Sequence, residues 1–340
     1  MQACARLREA RLRATVVCSV KDEGPFLVEW LCWQRLLGFT DVVVVTNDCT
    51  DHSRELLDAL ARGGWVTHLR HDVPDGRQIT ARKLAAAKAL PQVAKADWVM
   101  VADVDEYLVI HRGAGRLSDL LAAPGRPFLG MSIPWRVFGT AGRTAWEDGL
   151  LHRQCLRAGL PGGRFDGWVK SIHRKPDWFL RLAEHSPKRL RPRRLAEWGS
   201  AGMIWVNPAG QEVTGWRPDE DSLRILPDPL RGWEVAQVNH YMLRSVESFS
   251  LKRGTLSPVA GKDRYTDSYF AKAEQNEAED RSALRHAAEF DALHAQAMAL
   301  PGVFGLHHLC CADYVRRLAA KAGRAAEDDP RLAHHLARAG

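Results

Sequence analysis

Two periods alternate along the first 110 residues. An unbroken apolar run from Ala14 to Val20 predicts a buried strand. From Pro25 to Gly38 apolar residues recur at Phe26, Leu27, Trp30, Leu31 and Leu37, the spacing of one helix face, and the glycine supplies a stop. Asp41 to Thr46 is a Val-rich strand, and Ser53 to Arg62 a helix with a serine cap and a Gly63-Gly64 end. Trp65 to Leu69 is a third strand. A polar loop carrying Pro74-Asp75-Gly76 leads to a helix over Thr80 to Leu90 and a fourth strand over Asp97 to Ala102. Strands separated by helices predict an α/β fold, a mostly parallel sheet covered on both faces, with ligands bound at the carboxyl ends of its strands. The polar residues at those ends are therefore the first candidates: Lys21, Asp22 and Glu23; Asn47, Asp48 and Asp51; Arg70 to Gln78; Asp103, Asp105 and Glu106. Each could equally cap the helix that follows it.

Beyond Leu120 the pattern loosens. Phe128 to Trp135 and Val235 to Leu243 read as strands, and Arg143 to Asp177 is rich in Gly, Arg and Trp. The tail from Ser245 is mostly helical, broken near Gly254 to Gly261 and at Pro301-Gly302, and its Ala/Arg-rich end reads as frayed. No repeat is evident.

Composition narrows the class. At 340 residues, 46% hydrophobic and 26% charged, the chain can build a full core and is not a disordered or fibrous sequence. No apolar run reaches the roughly 18 residues of a membrane span, and the N-terminal MQACARLREARLRA lacks the apolar segment of a secretory signal. Seven cysteines without a CxxC pair, two of them, Cys18 and Cys32, in apolar stretches, fit reduced buried thiols and a cytoplasmic location. The net charge of +7 is concentrated: residues 141–217 carry 14 Lys/Arg against 7 Asp/Glu, leaving 34 against 34 elsewhere. Its densest part, Lys188, Arg189, Arg191, Arg193 and Arg194, suits phosphate groups on a nucleotide, an anionic glycan or peripheral attachment to an anionic membrane at its inner face, or is simply a solvated loop. No zinc-finger, helix-turn-helix or RNP-type pattern accompanies it, so nucleic acid is not an expected partner.

The sharpest chemical feature is the strand Trp98-Val-Met-Val-Ala running into Asp103-Val104-Asp105-Glu106. A strand running straight into Asp-x-Asp points both carboxylates to one side of the sheet, because alternate strand residues share a face. Two neighbouring carboxylates repel unless a cation joins them, and Mg²⁺ or Mn²⁺ typically takes one or two carboxylates together with substrate phosphate oxygens.

With these residues in view, the chain resembles the family 2 glycosyltransferases. The likeness is carried by Thr15-Val-Val-Cys-Ser-Val-Lys21-Asp22-Glu23, Val44-Val-Thr-Asn47-Asp48-Cys-Thr50-Asp51-His-Ser53, Ile79-Thr-Ala-Arg82-Lys83 and Asp97-Trp-Val-Met-Val-Ala-Asp103-Val-Asp105-Glu106-Tyr-Leu. It is most similar to the bacterial branch related to family 92, with Tyr107 where that motif has Phe, and it recurs at Trp135-Arg-Val-Phe138-Gly139-Thr and Asn239-His240-Tyr241-Met-Leu-Arg-Ser245. The resemblance implies a GT-A fold over residues 14–245, with a nucleotide-sugar half at 14–110 and an acceptor half at 111–245, followed by a helical region at 246–340. It implies transfer of a sugar from a nucleotide-diphospho-sugar donor to a glycan or lipid-linked acceptor, metal dependent and inverting. Asp48 would contact the base, Asp103 the ribose or donor sugar, and Asp105 the metal, Mn²⁺ or Mg²⁺, with Asp103 and His240 as further ligands. Lys21, Glu23, Arg82 and Lys83 complete the expected donor site. Asp22 and Lys83 depart from the Asn that the family commonly has at each place.

An inverting transfer needs a carboxylate base. Glu147, Asp148, Asp166, Glu184 and Glu197 are the candidates, and the sequence does not choose among them. Twelve Trp residues, among them Trp135, Trp146, Trp168 and Trp178, offer faces for sugar. Competing readings fare less well. A dinucleotide oxidoreductase should show GxGxxG after its first strand, where this chain has Ser19-Val-Lys-Asp-Glu-Gly24. An aspartyl phosphatase carries its nucleophile after the first strand, and here Asp103 follows the fourth. A non-catalytic glycan-binding or scaffold protein on a degenerate transferase fold is the remaining alternative.

Overall fold

A computed structural model describes residues 12–73, 78–163, 165–219, 222–255 and 263–340. The expected Pro74-Asp75-Gly76 turn and most of the break at Gly254 to Gly261 lie outside them. The first half runs β1 (Ala14–Val20), α1 (Gly24–Leu37), β2 (Asp41–Thr46), α2 (Ser53–Arg62), β3 (Thr67–Arg70), α3 (Ile79–Lys88), α4 (Pro91–Ala94), β4 (Trp98–Val101) and β5 (Glu106–Ile110). The middle holds α5 (Leu117–Ala122), β6 (Gly130–Val137), α6 (Leu151–Gln154), β7 (Arg157–Ala158), β8 (Val169–Arg174), β9 (Phe179–Arg181), β10 (Lys188–Leu190), α7 (Pro192–Leu195), β11 (Trp205–Val206) and β12 (Ala236–His240). The end is α8 (Val246–Lys252), α9 (Asp267–Ala273), β13 (Ala278–Glu279), α10 (Ala287–Met298), α11 (Val303–Lys321) and α12 (Pro330–Ala339).

The main sheet has the order β3-β2-β1-β4-β8-β6-β12-β5, with β11 beside β6. Its first four strands are parallel; β8 runs against β4 and β6, and β5 against β12. The expected α/β architecture, a mostly parallel sheet flanked by helices with a helical C-terminal region, is what the chain adopts. Alternation along the strands sorts the core. Val16, Cys18, Val42 and Val44 face α1, α2 and α11, while Val17, Val43, Val45, Val99 and Val101 face Leu84 and Ala87 of α3. Helix α1 is buried nearly all round because the sheet lies on one side and α10 and α11 on the other. It ends at Gly38, whose φ of 100° returns its N–H to Arg35 and Gln34. The C-terminal helices thus share the core of the first half rather than forming a separate body.

Several elements differ from the sequence expectation, and each difference has a local cause. Strand β5 was not expected; it follows β4 after a turn in which the Glu106 N–H donates to the Asp103 carbonyl at 3.0 Å. Asp103 and Asp105 therefore sit in that turn and not on a continuing strand, so strand alternation does not place their carboxylates. Ser53 is already helical and does not cap α2: His52 holds the cap position, and Asp51 before it accepts from the Ser53 N–H at 3.0 Å. The two later strands run Gly130–Val137 and Ala236–His240, shifted from the expected bounds. The tail does not fray: α12 opens on Asp329, which accepts from the Arg331 N–H, and buries Leu332 and His335.

Candidate functional site

The carboxyl ends of β1, β2 and β4 meet the start of β5 and the end of β12. Because β5 and β12 pair antiparallel with His240 opposite Glu106, the end of β12 is carried to the Asp103–Glu106 turn. The Tyr241 N–H donates to the Asp105 carbonyl at 2.9 Å, and His240 Nε2 comes to 3.7 Å from Asp105 Oδ1. Past the strand, Arg244 takes a left-handed backbone, φ 64°. Its guanidinium stacks over Phe26, reaches Glu23 Oε2 at 2.7 Å and lies 3.8 Å from Asp105 Oδ2. Helix α8, capped by Ser245, delivers Lys252 to 3.3 Å from the same oxygen and 2.8 Å from the Met242 carbonyl.

Asp103 has a different partner. Strand β8 lies against β4, and its Lys170, 1% exposed, puts Nζ 2.9 Å from Asp103 Oδ2 and 2.8 Å from Glu106 Oε2. Burial opposes the Lys170 charge, but the two carboxylates overcome it and raise its pKa. Burial first, then the like charges of Asp103 and Asp105, raise Glu106, whose Oε1 has no hydrogen-bond partner. Burial would also raise Asp105; the charges of Lys252 and Arg244 outweigh it and hold that carboxyl well below the usual range. His240, buried and edge-on to Trp135 at 4.2 Å, is pushed down to about 4 and is neutral.

The β1 and β2 ends make a second, more open part. Lys21 and Asp48 form an exposed pair at 2.6 Å, and Asp48, lowered by its hydrogen bond to Lys21, has a left-handed φ of 48°. Asn47 Oδ1 accepts from the Val73 N–H at 2.7 Å, and Asp22 accepts from the Thr50 N–H at 2.6 Å, so those two hold loops. Lys83 lies beneath, donating to the Val20 carbonyl at 3.2 Å, and burial lowers it to about 8. Arg82 is exposed on α3.

Beside Asp105 stands an aromatic wall. Trp135 and Trp168 stack at 5.6 Å and 14°, with the His185 ring 5.2 Å from Trp168. Trp146 instead packs on Tyr314, and Trp178 lies under Arg194. The base candidates scatter. Glu147 pairs with Arg143, Asp148 faces His307 at 3.4 Å, and Glu197 pairs with Arg194. Asp166 and Glu184 stay close in sequence to the wall, at Trp168 and His185. Of these Asp166 is buried, raised by that burial, with Oδ1 unpartnered. In the basic cluster Arg191 donates to the Asp177 carbonyl and Arg194 is ion-paired, while Arg189 and Arg193 face solvent.

Asp105 and His240 bring an oxygen and a nitrogen to 3.7 Å of each other, two donor atoms of the kinds that Mn²⁺ takes. Asp103, turned to Lys170, does not join them; among the described residues the tight groups of metal-binding types are Asp148-His308-Cys311-His335 and Asp22-Cys49-Asp51. The second is spent on backbone: Asp22 accepts from the Thr50 N–H, and Asp51 from those of Gly24 and Ser53. Sequence reasoning missed Lys170 and Lys252. The first lies in the Gly-, Arg- and Trp-rich stretch where no strand was expected, and nothing marked the second.

No protein-family model matches the chain, and no curated protein matches it. Among solved structures it is similar to S. aureus TarS 1-349 (11% identity, 96% of this chain and 88% of that one, TM-score 0.33). The same protein in complex with UDP gives 11%, 96%, 90% and 0.34. A 4-diphosphocytidyl-2C-methyl-D-erythritol synthase gives 12%, 49%, 77% and 0.29. Among the described residues no helix is long and apolar enough to cross a membrane, and the six described cysteines are unpaired.

Proposed function

We propose that the chain is a glycosyltransferase of GT-A type, moving a sugar from a nucleotide-diphospho-sugar to a glycan or lipid-linked acceptor. The observation that carries this reading is the convergence of Asp103, Asp105, Lys170, Arg244, Lys252 and His240 at the carboxyl ends of a parallel sheet, next to a stacked tryptophan pair. Lys252 and Arg244 sit where a diphosphate would lie against Asp105 and would stabilise the negative charge that grows on the leaving nucleotide. Asp48 and Lys21 would face the base, Asp103 the ribose or donor sugar, and the Trp135 and Trp168 faces the acceptor. Asp166 is the proposed base, its raised pKa suiting proton acceptance from an acceptor hydroxyl.

Asp105 and His240 would hold Mn²⁺ or Mg²⁺, which supplies Lewis-acid polarisation of the phosphate oxygens. The surrounding Lys252 and Arg244 repel a bare cation, so the ion would enter together with the diphosphate. The same two side chains favour a second reading, in which they stabilise the diphosphate without a metal. The exposed basic residues Arg189 and Arg193 are proposed to hold the chain at an anionic surface. Release of nucleoside diphosphate from a panel of nucleotide-sugars, with Mn²⁺ and with EDTA, tests the assignment. Turnover abolished in Asp105→Asn supports it, and EDTA separates the two readings of the cation. No turnover or diphosphate binding with any donor would leave the non-catalytic alternative.

A further inference from the structure

Far along the chain, a different chemistry is assembled at the C-terminal helices. His308 and Cys311, three residues apart on α11, share one face of that helix. His335 comes from α12 and Asp148 from the loop before α6, and one ligand atom from each of the four lies within 4.8 Å of all the others. The histidines and the cysteine are buried, and Asp148 closes the outer side. The two imidazoles meet nitrogen to nitrogen, Nδ1 to Nδ1 at 3.0 Å. His307 Nε2 stands 3.6 Å from Cys311 Sγ and 3.4 Å from Asp148 Oδ1, so its N–H points at two of the four, and its Nδ1 is buried without a partner. Outer residues that donate into a ligand set orient metal centres in the same way.

We propose that Asp148, His308, Cys311 and His335 bind one transition-metal ion, zinc in the first place, fastening α12 to α11 and to the loop at Asp148. One thiolate, two imidazoles and one carboxylate form the mixed sulfur, nitrogen and oxygen set that zinc takes in closed four-coordinate sites. Tetrahedral bonds of about 2.0–2.3 Å place ligand atoms roughly 3.3–3.8 Å apart, so the widest separations in the cluster close by about an ångström while the two imidazole nitrogens open slightly.

The protons balance. Arg338 Nε donates to His308 Nε2 at 3.0 Å, which leaves the proton between the two rings on His308 Nδ1 in the metal-free chain. Ligation through Nδ1 moves that proton to Nε2 and releases Arg338, an exposed side chain in the last turn, to water. The Cys311 thiol proton leaves to solvent. A hydrogen-bonded histidine pair by itself accounts for the 3.0 Å contact, yet gives no reason for a buried thiol and a carboxylate to converge on it. The ion would also brace the donor site indirectly: Arg331 of α12 grips Glu247 at 2.7 and 2.9 Å in the first turn of α8, the helix that carries Lys252.

The full chain, free of any polyhistidine tag, is stripped with a chelator and titrated with Co²⁺ and with Zn²⁺. Binding of about one ion per chain, a thiolate-to-cobalt charge-transfer band, and a melting temperature that rises with zinc are expected. Cys311→Ser should lose the band and His335→Gln the tight binding, while His334→Gln, exposed next door, should keep both. A wild-type chain that takes up no cobalt or zinc, or a Cys311→Ser chain with an unchanged band, overturns the proposal. The spectrum of the unsubstituted protein decides even where a variant fails to fold.

Discussion

The first 110 residues and the remainder of the chain bring opposite charges to one place. Glu23, Asp103, Asp105 and Glu106 come from the first part; Lys170, Arg244 and Lys252, with His240, come from the second. The first part by itself would gather carboxylates at the carboxyl ends of the strands, with Lys21 paired to Asp48 and Lys83 turned to the Val20 carbonyl. The second contributes cations held by irregular means: an antiparallel strand inserted next to β4, a left-handed arginine after β12, and the last residue of a short capped helix. The half proposed to bind the nucleotide therefore has its carboxylates paired only by the region that follows it, and the two are expected to fold together.

Breaking the most buried cross-contact should have the largest effect. Lys170→Met removes the cation from the fully buried Glu106 and from Asp103, and about 3–5 kcal/mol of stability should be lost in chemical denaturation. Adding Glu106→Gln should recover part of that loss; a Lys170→Met chain as stable as wild type would mean the halves are not coupled there. Next comes Asp105→Asn, which keeps the shape and removes the charge that orders Lys252 and Arg244. Turnover should fall by about 100-fold or more. Initial rates measured at saturating donor check it, and unchanged rates would remove Asp105 from the site.

A smaller effect concerns pH. Burial pushes His173 and His185, both in the second part, down to about 4. Their folded values lie below the unfolded one of about 6.5. The unfolded chain then takes up protons that the fold refuses, so their contribution is complete above about 6.5 and is lost as pH falls toward 4. Melting temperature followed between pH 7 and 4 should drop, and less steeply in His173→Gln. The smallest effect belongs to Asp48→Ala. Its ion pair with Lys21 is exposed, so stability should not change and nucleotide affinity should weaken only about threefold. Calorimetry showing a greater loss here than at Lys252 would reverse the order of importance of the two parts of the site.

The sequence made the regular half legible because hydrophobic period reports burial directly. Strands β1 and β2 and helix α2 fall at the expected residues, since each is a continuous run with clear ends. The Asp-x-Asp motif was visible too, but not its geometry: an apolar strand flows into it without a break, and only the pairing of β5 with β12 reveals the turn at Asp103. Lys170 was hidden because a lysine in Val169–Arg174 looks like an interruption of a strand, not like a partner for Asp103, 67 residues earlier. His308, Cys311 and His335 carry no ligand spacing of the CxxC kind, and they meet Asp148 only when α12 folds back on α11.

The claim that cations of the second half complete a diphosphate site built on the first is tested most directly by calorimetric titration. Matched nucleoside diphosphates and monophosphates would be compared in wild type and Lys252→Met. Wild type should bind the diphosphate at least about tenfold more tightly than the monophosphate, a difference of about 1.4 kcal/mol, and Lys252→Met should bind the two alike. A preference for diphosphate that survives in Lys252→Met would contradict the account.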